Sequence, residues 1–280
     1  MILKRPHEID AMAYAAQLNR EVLELVEPLI RPGVSTAELD AAAYDAIVSR
    51  GATPAFKGYR GSSASITPFP GTLCTSVNEI VVHGIPDRKP LRDGDIVSVD
   101  IGLFYDGYAA DMAKTYAVGS TLPRIRSLLD ATERSLYAGI EAAQPGKRLG
   151  DVAAAIQRTV EGAGFWVVRE FVGHGIGRAF HESPDVPNYG RAGTGPKLRP
   201  GLVLAIEPMV TVSETDIKIL ADGWTAPTAN GSWSAHFEHT VAITEAGPRV
   251  LTMAGAPVYG AFDDQAPVRE ALYEGGVRGA

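Results

Sequence analysis

Cysteine is almost absent from this chain, which has only Cys74 among 280 residues. A single cysteine cannot form a disulfide within the chain, so we expect a protein of a reducing compartment. No uninterrupted apolar run approaches the ~18 residues of a transmembrane helix, and residues 1–12 lack the apolar segment of a signal peptide. The sequence therefore predicts a cytoplasmic protein that does not cross a membrane.

An excess of positive charge is absent as well. The formal net charge is −7, with 21% charged and 45% hydrophobic residues. This composition is typical of a soluble globular protein. It argues against broad electrostatic binding to nucleic acids or anionic membranes, because both attract basic surfaces.

Several common catalytic motifs are missing. The chain has no Gly-x-Ser-x-Gly elbow and no Walker phosphate loop. His181-Glu182 lacks the second histidine of a zinc-protease helix, and the GHGIG motif at residues 173–177 is one residue short of a dinucleotide fingerprint. Cys74 has no evident base partner, so we expect a buried structural thiol rather than a nucleophile.

The chain does contain two acidic residues within an apolar, strand-like stretch, residues 95–116. Asp106-Gly107 predicts a two-residue hairpin loop, which would place Gly102 opposite Asp111. Asp100 and Asp111 would then be diagonal neighbours on one face, about 7–8 Å apart at the backbone, a spacing suited to a pair of cations. A three-residue loop would place them on opposite faces. From the hairpin alone, two solvated aspartates remain an equal alternative.

Apolar periodicity and turn residues predict the remaining elements. The predicted helices cover residues 7–29, about 36–49 after a Ser35-x-x-Glu38 capping box, 123–144 and 149–163. The predicted strands cover 75–84, 165–172, 202–206 and 234–244, with a further hairpin of 210–212 and 217–220. Residues 62–68 and 183–200 are predicted to be surface loops, and the tail after 256 is assigned no structure.

An internal repeat is the most informative pattern. Residues 31–51 match residues 144–164 at a constant offset of 113, including the Pro-Gly start, the Ala-rich face and the final glycine. His-Gly-Ile segments and acidic strands then follow in the same order in both halves. Chance similarity of common turn and helix residues is the alternative. A duplicated domain would bring four carboxylates together on a pseudo-twofold axis: Asp100, Asp111, Glu207 and Glu238.

Four buried carboxylates repel one another, which raises their pKa values unless cations neutralise them. His174, between two glycines, is the additional candidate ligand, because the glycines permit close approach of a metal. Oxygen ligands with one imidazole suit manganese, iron or cobalt at least as well as zinc. Two such metals favour hydrolysis of a carbonyl compound. His83 and His181 are then candidates to contact a substrate amide or oxyanion, with structural histidines as the alternative.

The motifs together resemble a known family. They are NEIVVHGIP (78–86), DIVSVDIG (95–102), GHGIGRAFHE (173–182), RPGLVLAIEPMV (199–210), ADGWTA (221–226) and SAHFEHT (234–240). Their order is similar to that of type I methionine aminopeptidases, of metallopeptidase family M24, over about residues 5–253. The resemblance implies an α+β pita-bread fold, with two pseudo-twofold-related αβ halves around a central antiparallel sheet. We expect one catalytic domain, residues 1–255, with halves at 5–120 and 121–253 and a C-terminal tail at 256–280.

The resemblance also implies roles for individual residues. Asp100 would chelate one of two divalent metals (cobalt, manganese, iron or zinc), Asp111 and Glu238 would bridge, and His174 and Glu207 would hold the other. Glu207 would be the general base, His83 would contact the scissile amide, and His181 would contact the carbonyl oxygen. A methionine pocket would be lined by Tyr59, Phe69, Cys74, Phe180 and Trp224. The extra residues 62–68 leave the position of Tyr59 open.

The implied function is removal of N-terminal methionine from nascent chains, at the ribosome and favoured by a small second residue. We expect a cytoplasmic monomer with no nucleic-acid or membrane partner. The first alternative is a peptidase of the aminopeptidase P or prolidase type, which shares the five ligands but usually carries an extra N-terminal domain. The second is a non-catalytic binding protein on the same fold, disfavoured because all the ligands are present.

Overall fold

The computed structural model describes residues 1–61 and 67–255. The predicted tail at 256–280 and residues 62–66 of the predicted surface loop lie outside this range. The helices are α1 (Pro6–Val26), α2 (Thr36–Ser49), α3 (Pro123–Ala142) and α4 (Leu149–Gly162), and a 3-10 turn, Glu27–Leu29, extends α1. All four predicted helices are confirmed. None of the helices in the described ranges is both long and apolar enough to span a bilayer.

The strands of the first half come before α3. They are β1 (Thr53–Pro54), β2 (Leu73–Val77), β3 (Ile80–Val82), β4 (Ile96–Tyr105) and β5 (Tyr108–Ala117). The strands of the second half follow α4. They are β6 (Trp166–Val167), β7 (Gly173–Gly175), β8 (Glu182–Val186), β9 (Val203–Ile206), β10 (Met209–Thr211), β11 (Ala226–Pro227), β12 (Ser234–His236), β13 (Glu238–Thr244) and β14 (Gly247–Val250).

Nine strands form one antiparallel sheet in the order β1-β4-β5-β13-β9-β7-β8, with β2 also pairing with β4 and β14 with β13. At its centre β5 pairs with β13, so the two halves meet edge to edge. Each half contributes one hairpin-like pair to this centre, β4–β5 on one side and β9–β13 on the other. In this order the strands of the first half lie on one side of the β5–β13 junction and those of the second half on the other. This is the predicted α+β pita-bread architecture.

Helices α2 and α4 show that the sequence repeat is also structural. Each is fourteen residues long, and their first residues are 113 positions apart. At each N-terminus a carboxylate three residues ahead accepts a backbone N–H, from Ser35 to Glu38 and from Arg148 to Asp151, both at 2.8 Å. These bonds satisfy a donor that the helix itself leaves unpaired.

The helices cover one face of the large sheet. In β4 the alternate residues Val97, Val99, Ile101 and Leu103 are fully buried in a core shared with α1 and α2. A second core joins α3 and α4 to β9 and β13. Because strand side chains alternate, Asp100 projects from the face opposite to the first core. The acidic residues therefore lie on the side of the sheet that the helices leave uncovered.

Some strand predictions are wrong. Residues 75–84 form two strands, β2 and β3, because Asn78 takes a left-handed turn conformation (φ 53°) between them. The predicted hairpin of 210–212 with 217–220 does not form, since β10 pairs instead with β6 and β12, far away in sequence. The partners of β10 are distant in the chain, and the local pattern of apolar residues does not reveal them.

Other boundaries also differ from the predictions. The predicted loop at 183–200 begins inside β8. Its polar residues are tolerated because β8 is a sheet edge, pairing with β7 alone among the strands of residues 1–61 and 67–255. The predicted strand at 165–172 is a strand only in β6. The predicted strand at 234–244 divides at Phe237 into β12 and β13, which belong to different sheets, and β14 follows it.

Candidate metal centre

The β4–β5 hairpin has the predicted register. Asp106 (φ 49°) and Gly107 (φ 75°) both take left-handed conformations, as a two-residue type I′ loop requires. Gly102 lies opposite Asp111 and Asp100 opposite Ala113. The alternative of a three-residue loop is therefore excluded, and both aspartates point to the same face.

The second half brings its acidic residues to the same place. Glu238 begins β13 and pairs with Ala113, so it lies beside Asp111 across the central junction. Glu207 follows directly on the last residue of β9. His174 lies in the middle of β7, opposite Ala205 of β9. Three neighbouring strands of one half thus face the hairpin of the other.

The side chains form two overlapping candidate ligand sets. One consists of Asp111, His174 and Glu238, and the other of Glu207, His236 and Glu238; in each set the ligand atoms lie within 4.8 Å of one another. His174 Nε2 is 3.6 Å from both Asp111 Oδ2 and Glu207 Oε1, which connects the sets. Glu238 is common to both. The arrangement offers ligand atoms that could hold a metal ion.

Asp100 belongs to neither set, although the sequence predicts it as a ligand. It remains close enough for its charge to raise the pKa of Glu238. In β4 its backbone partner on the other side is Cys74 of β2, which places the thiol next to the acidic cluster. Burial raises the pKa of Cys74, and the nearby Asp100 raises it further, so the sulfur is a neutral thiol.

Buried oxygens without partners indicate that the cluster fits a cation. Within the described ranges, Asp100 Oδ1, Asp111 Oδ1 and Glu238 Oε1 are buried and accept no hydrogen bond from protein. Burial is the main cause that raises the pKa values of all three groups. The negative charges of Asp111 and Glu207 raise the pKa values of Asp100 and Glu238 further. Desolvated carboxylates of this kind require protons or metal ions as counter-charges.

His174 is oriented for ligation by its backbone surroundings. Its Nδ1 lies 2.9 Å from the carbonyl oxygen of Gly175, which can only accept, so in the neutral form of the imidazole Nδ1 carries the proton and Nε2 has a free lone pair. The flanking glycines are needed for close packing, because a Cβ at Gly173 would lie 2.4 Å from the Ala205 oxygen. Burial lowers the pKa of His174, but Asp111 and Glu207 more than compensate, so the net shift is upward.

Hydrogen bonds hold the ligand-bearing backbone. Thr240 Oγ1 accepts from the N–H of Asp111 at 3.1 Å and donates to the carbonyl of Asp111 at 2.7 Å. Fully buried Asn188 donates to the carbonyl of Glu207 at 3.0 Å. These hydrogen bonds restrain the backbone at Asp111 and at Glu207, because each one joins it to a different segment of the chain.

His83 and His181 both lie beside the cluster, and the pKa of each is lowered from its usual value. His83 has a left-handed conformation (φ 58°) at the end of β3, and burial lowers its pKa to about 4. The ring centroid of His181 is 4.2 Å from that of His174. Desolvation, and then the charge of His174, lowers the pKa of His181 to about 4. A neutral imidazole retains one N–H that can donate to a substrate oxygen.

Three of the five predicted pocket residues, Tyr59, Phe69 and Trp224, form a connected aromatic group. The Trp224 ring packs against Phe69 at 5.4 Å and against Tyr59 at 6.2 Å between centroids. Tyr59 Oη lies 2.8 Å from His181 Nδ1, so the position that the sequence left open is next to the cluster. Phe180 contacts the His174 ring at 5.8 Å. Trp224 Nε1 donates to the carbonyl of Thr67 at 2.7 Å.

The sequence interpretation did not include His236 among the site residues. Its Nε2 is 3.5 Å from Glu207 Oε2 and 3.9 Å from Glu238 Oε2, and it has no hydrogen-bond partner among the described residues. The backbone of His236 is held by Thr115, whose hydroxyl accepts its N–H and donates to its carbonyl, both at 2.8 Å. The sequence offered one indication of His236 as a site residue, namely its position two residues before Glu238 in a predicted strand.

The sequence profile of metallopeptidase family M24 matches residues 10–245. A protein named methionine aminopeptidase from Clostridium perfringens is 49% identical over 253 residues, which cover 90% of this chain and 99% of that protein. The chain belongs to the methionine aminopeptidase group of family M24. A second relative, methionine aminopeptidase 1 of Bacillus subtilis, is 48% identical over 90% of this chain and 99% of its own length.

Solved structures of the family agree with this fold. The methionine aminopeptidase of Rickettsia prowazekii has a TM-score of 0.87 at 37% identity, covering 90% of this chain and 100% of that one. That of Thermotoga maritima has a TM-score of 0.86 at 45% identity, with 90% and 99% covered. The prolidase of Pyrococcus furiosus, at 23% identity and a TM-score of 0.69, shares the fold, and this chain covers 66% of it.

Proposed function

We propose that this chain removes the N-terminal methionine from nascent proteins and peptides by metal-dependent hydrolysis. The observation that carries the proposal is the cluster of buried Asp111, His174 and Glu238 with half-buried Glu207. It lies beside the aromatic side chains of Tyr59, Phe69 and Trp224 and beside His83 and His181, whose pKa values are lowered to about 4. A cluster of this kind supports hydrolysis, and the pocket supports selection of an apolar first residue.

The proposed ligands are Asp100, Asp111, His174, Glu207 and Glu238. They would hold two divalent cations (cobalt, manganese, iron or zinc), with Asp111 and Glu238 shared between them. When bound, the cations supply Lewis acidity that polarises a scissile carbonyl and lowers the pKa of a water molecule. Four positive charges would offset the carboxylates whose pKa values burial raises.

The remaining steps belong to side chains of this chain. Glu207 is the proposed general base: it takes a proton from the attacking water and passes it to the leaving amine. Its two oxygens lie close to different imidazoles, those of His174 and His236, which restricts its orientation. His83 is proposed to donate to the scissile amide, and His181 to the carbonyl oxygen as it becomes negative.

The methionine side chain is proposed to occupy the pocket of Tyr59, Phe69, Cys74, Phe180 and Trp224. Thioether sulfur makes favourable contacts with aromatic rings, which this pocket offers on several sides. A preference for a small second residue is part of the proposal. We further propose that residues 1–255 are one catalytic domain, acting as a cytoplasmic monomer on chains emerging from the ribosome.

The decisive experiment compares two peptides. The protein is incubated with Met-Ala-Ser and Ala-Pro-Ala in the presence of manganese or cobalt, and the products are read by mass spectrometry. Loss of methionine from the first, with the second intact, is expected. Loss of alanine from the second alone would instead establish an Xaa-Pro aminopeptidase. Met-Trp-Ser, processed more slowly than Met-Ala-Ser, would support the preference for a small second residue.

A metal titration separates the enzyme from a binding protein on the same fold. Isothermal titration with manganese is expected to reveal two sites, since two cations balance the acidic cluster. A protein that releases no residue from either peptide and binds no divalent ion would contradict the proposal.

A further inference from the structure

A buried ion pair ties the N-terminal arm, residues 1–5, to the loop that carries His181. Lys4 Nζ lies 2.6 Å from Glu182 Oε2, and the two side chains are only 4% and 5% exposed. Lys4 Nζ also donates to the carbonyl of Ile2 at 3.2 Å. By contrast, the neighbouring pair Arg5–Glu8 is 3.4 Å long and Arg5 is 75% exposed.

Two glycines make room for this ion pair. A Cβ at Gly177 would lie 2.4 Å from both Glu182 Oε1 and Lys4 Cε. A Cβ at Gly201 would lie 2.7 Å from the carbonyl oxygen of Lys4, and the Lys4 N–H donates to the carbonyl of Gly201 at 2.7 Å. The arm is therefore fitted against the protein on two sides.

The loop between β7 and β8, residues 176–181, has limited regular pairing. The β7–β8 register shifts between His174 and Gly175, and Gly175 pairs with Glu182, so residues 176–181 lie outside the β7–β8 ladder. Glu182 uses its second oxygen to accept the N–H of Ala179 at 3.4 Å. One carboxylate thus joins the arm to the loop backbone, directly after His181.

We propose that Lys4 is a positioning residue for His181. The ammonium group fixes Glu182, Glu182 fixes the loop, and the loop presents the His181 ring to the substrate carbonyl. This inference rests on the proposed function for the role of His181, but not for the mechanical connection. Lys4 then contributes to catalysis through His181 although it touches no substrate, whereas exposed Arg5 makes no contact with this loop ion pair.

Steady-state kinetics on Met-Ala-Ser provides the first test. Lys4→Met should lower kcat about tenfold, because small displacements of a catalytic group are costly, with KM changed much less. The matched control Arg5→Met removes the neighbouring exposed charge and should leave kcat unchanged. In a His181→Ala background, Lys4→Met should have little further effect on kcat, because Lys4 acts on kcat through His181. Equal losses in both backgrounds would overturn the proposal.

A second measurement does not depend on activity. The imidazole signals of the six histidines are recorded by NMR and assigned by single substitutions. At one fixed pH, Lys4→Met should shift or broaden the His181 signal and leave that of half-buried His239 unchanged. An unchanged His181 signal would contradict the proposal, even if the peptide assay had already disproved the proposed function.

A double variant that removes both charges of the ion pair controls for instability of the single Lys4→Met variant. Lys4→Met leaves a buried carboxylate unpaired, whereas Lys4→Met with Glu182→Gln removes both charges. The double variant should regain the melting temperature but not kcat or the His181 signal. Recovery of all three would show that the ion pair acts on stability alone.

Discussion

The ring of Phe180 occupies the space that a side chain at Gly102 would need. A Cβ added to Gly102 would lie 2.5 Å from Phe180 Cε2 and 3.1 Å from Phe56 Cε1. Gly102 also lies opposite Asp111 in the hairpin. The absent side chain in β4 therefore allows an aromatic residue of the other half to pack against the acidic hairpin.

Gly102→Ala should displace Phe180 and damage the proposed methionine pocket. We expect a higher KM for Met-Ala-Ser and a loss of about 1–3 kcal/mol in the free energy of unfolding, as for overpacked cores. Kinetics and urea denaturation measure the two effects. The matched control is Gly162→Ala in α4, where a Cβ would meet nothing within 4 Å and should be neutral or stabilising. Unchanged KM in Gly102→Ala would exclude the pocket role.

Thr240→Val tests how the two halves are joined at the cluster. The substitution preserves shape but removes both hydrogen bonds between Thr240 and the backbone of Asp111. We expect a loss of about 1–3 kcal/mol in unfolding free energy, because buried groups are left unpaired, together with weaker manganese binding. Thr159→Val in α4, which removes only a bond to the Ala155 carbonyl, is the control for calorimetry. Equal effects from the two variants would argue against a specific role.

Glu238→Gln should have opposite effects on metal affinity and on the stability of the metal-free protein. It removes a carboxylate common to both candidate sets, so manganese binding should weaken strongly. In a chelator the same change removes a buried charge with no counter-ion, so Tm should rise. Calorimetry and thermal melting give the two results. A lower Tm for the metal-free variant would contradict the repulsion inferred for the cluster.

The stability of the metal-free protein should depend on pH in a definite direction. Burial raises the pKa values of Asp100 and Glu238, so the folded state holds their protons more tightly than the unfolded state does. Their stabilising contribution is present at acid pH and is lost as pH rises through the folded pKa. The Tm advantage of Glu238→Gln over the unsubstituted protein in chelator should therefore grow between about pH 5 and about pH 8.

Metal affinity should rise with pH, whereas the stabilising contribution of the protonated carboxylates falls. Protons compete with cations for the same carboxylates and for His174, so manganese binding should weaken as pH falls from about 8 to about 5. Titrations at several pH values measure this. Affinity that does not change over that range would speak against the acidic cluster as the metal site.

Local sequence was sufficient for the parts of the site that depend on short-range geometry. Asp106-Gly107 admits few hairpin loops, and a hairpin loop determines which residues face each other. The register of Asp100 and Asp111 followed from that. The repeat likewise predicted α2 and α4, because the same turn and capping residues recur at the same spacing. Predictions failed where β10 paired with the distant strands β6 and β12, and where polar residues formed the edge strand β8.

The sequence by itself determined the hairpin, the duplicated halves, the acidic residues that meet between them and the resemblance to one family. Tertiary structure alone decided that His236 joins Glu207, that Tyr59 reaches His181, and that Lys4 pairs with Glu182, 178 positions away. The physical reason is that hydrogen bonding and periodicity act between near neighbours in the chain. Contacts between distant segments depend on how complete layers pack, and a buried charge such as Lys4 is identified only when its partner is in place.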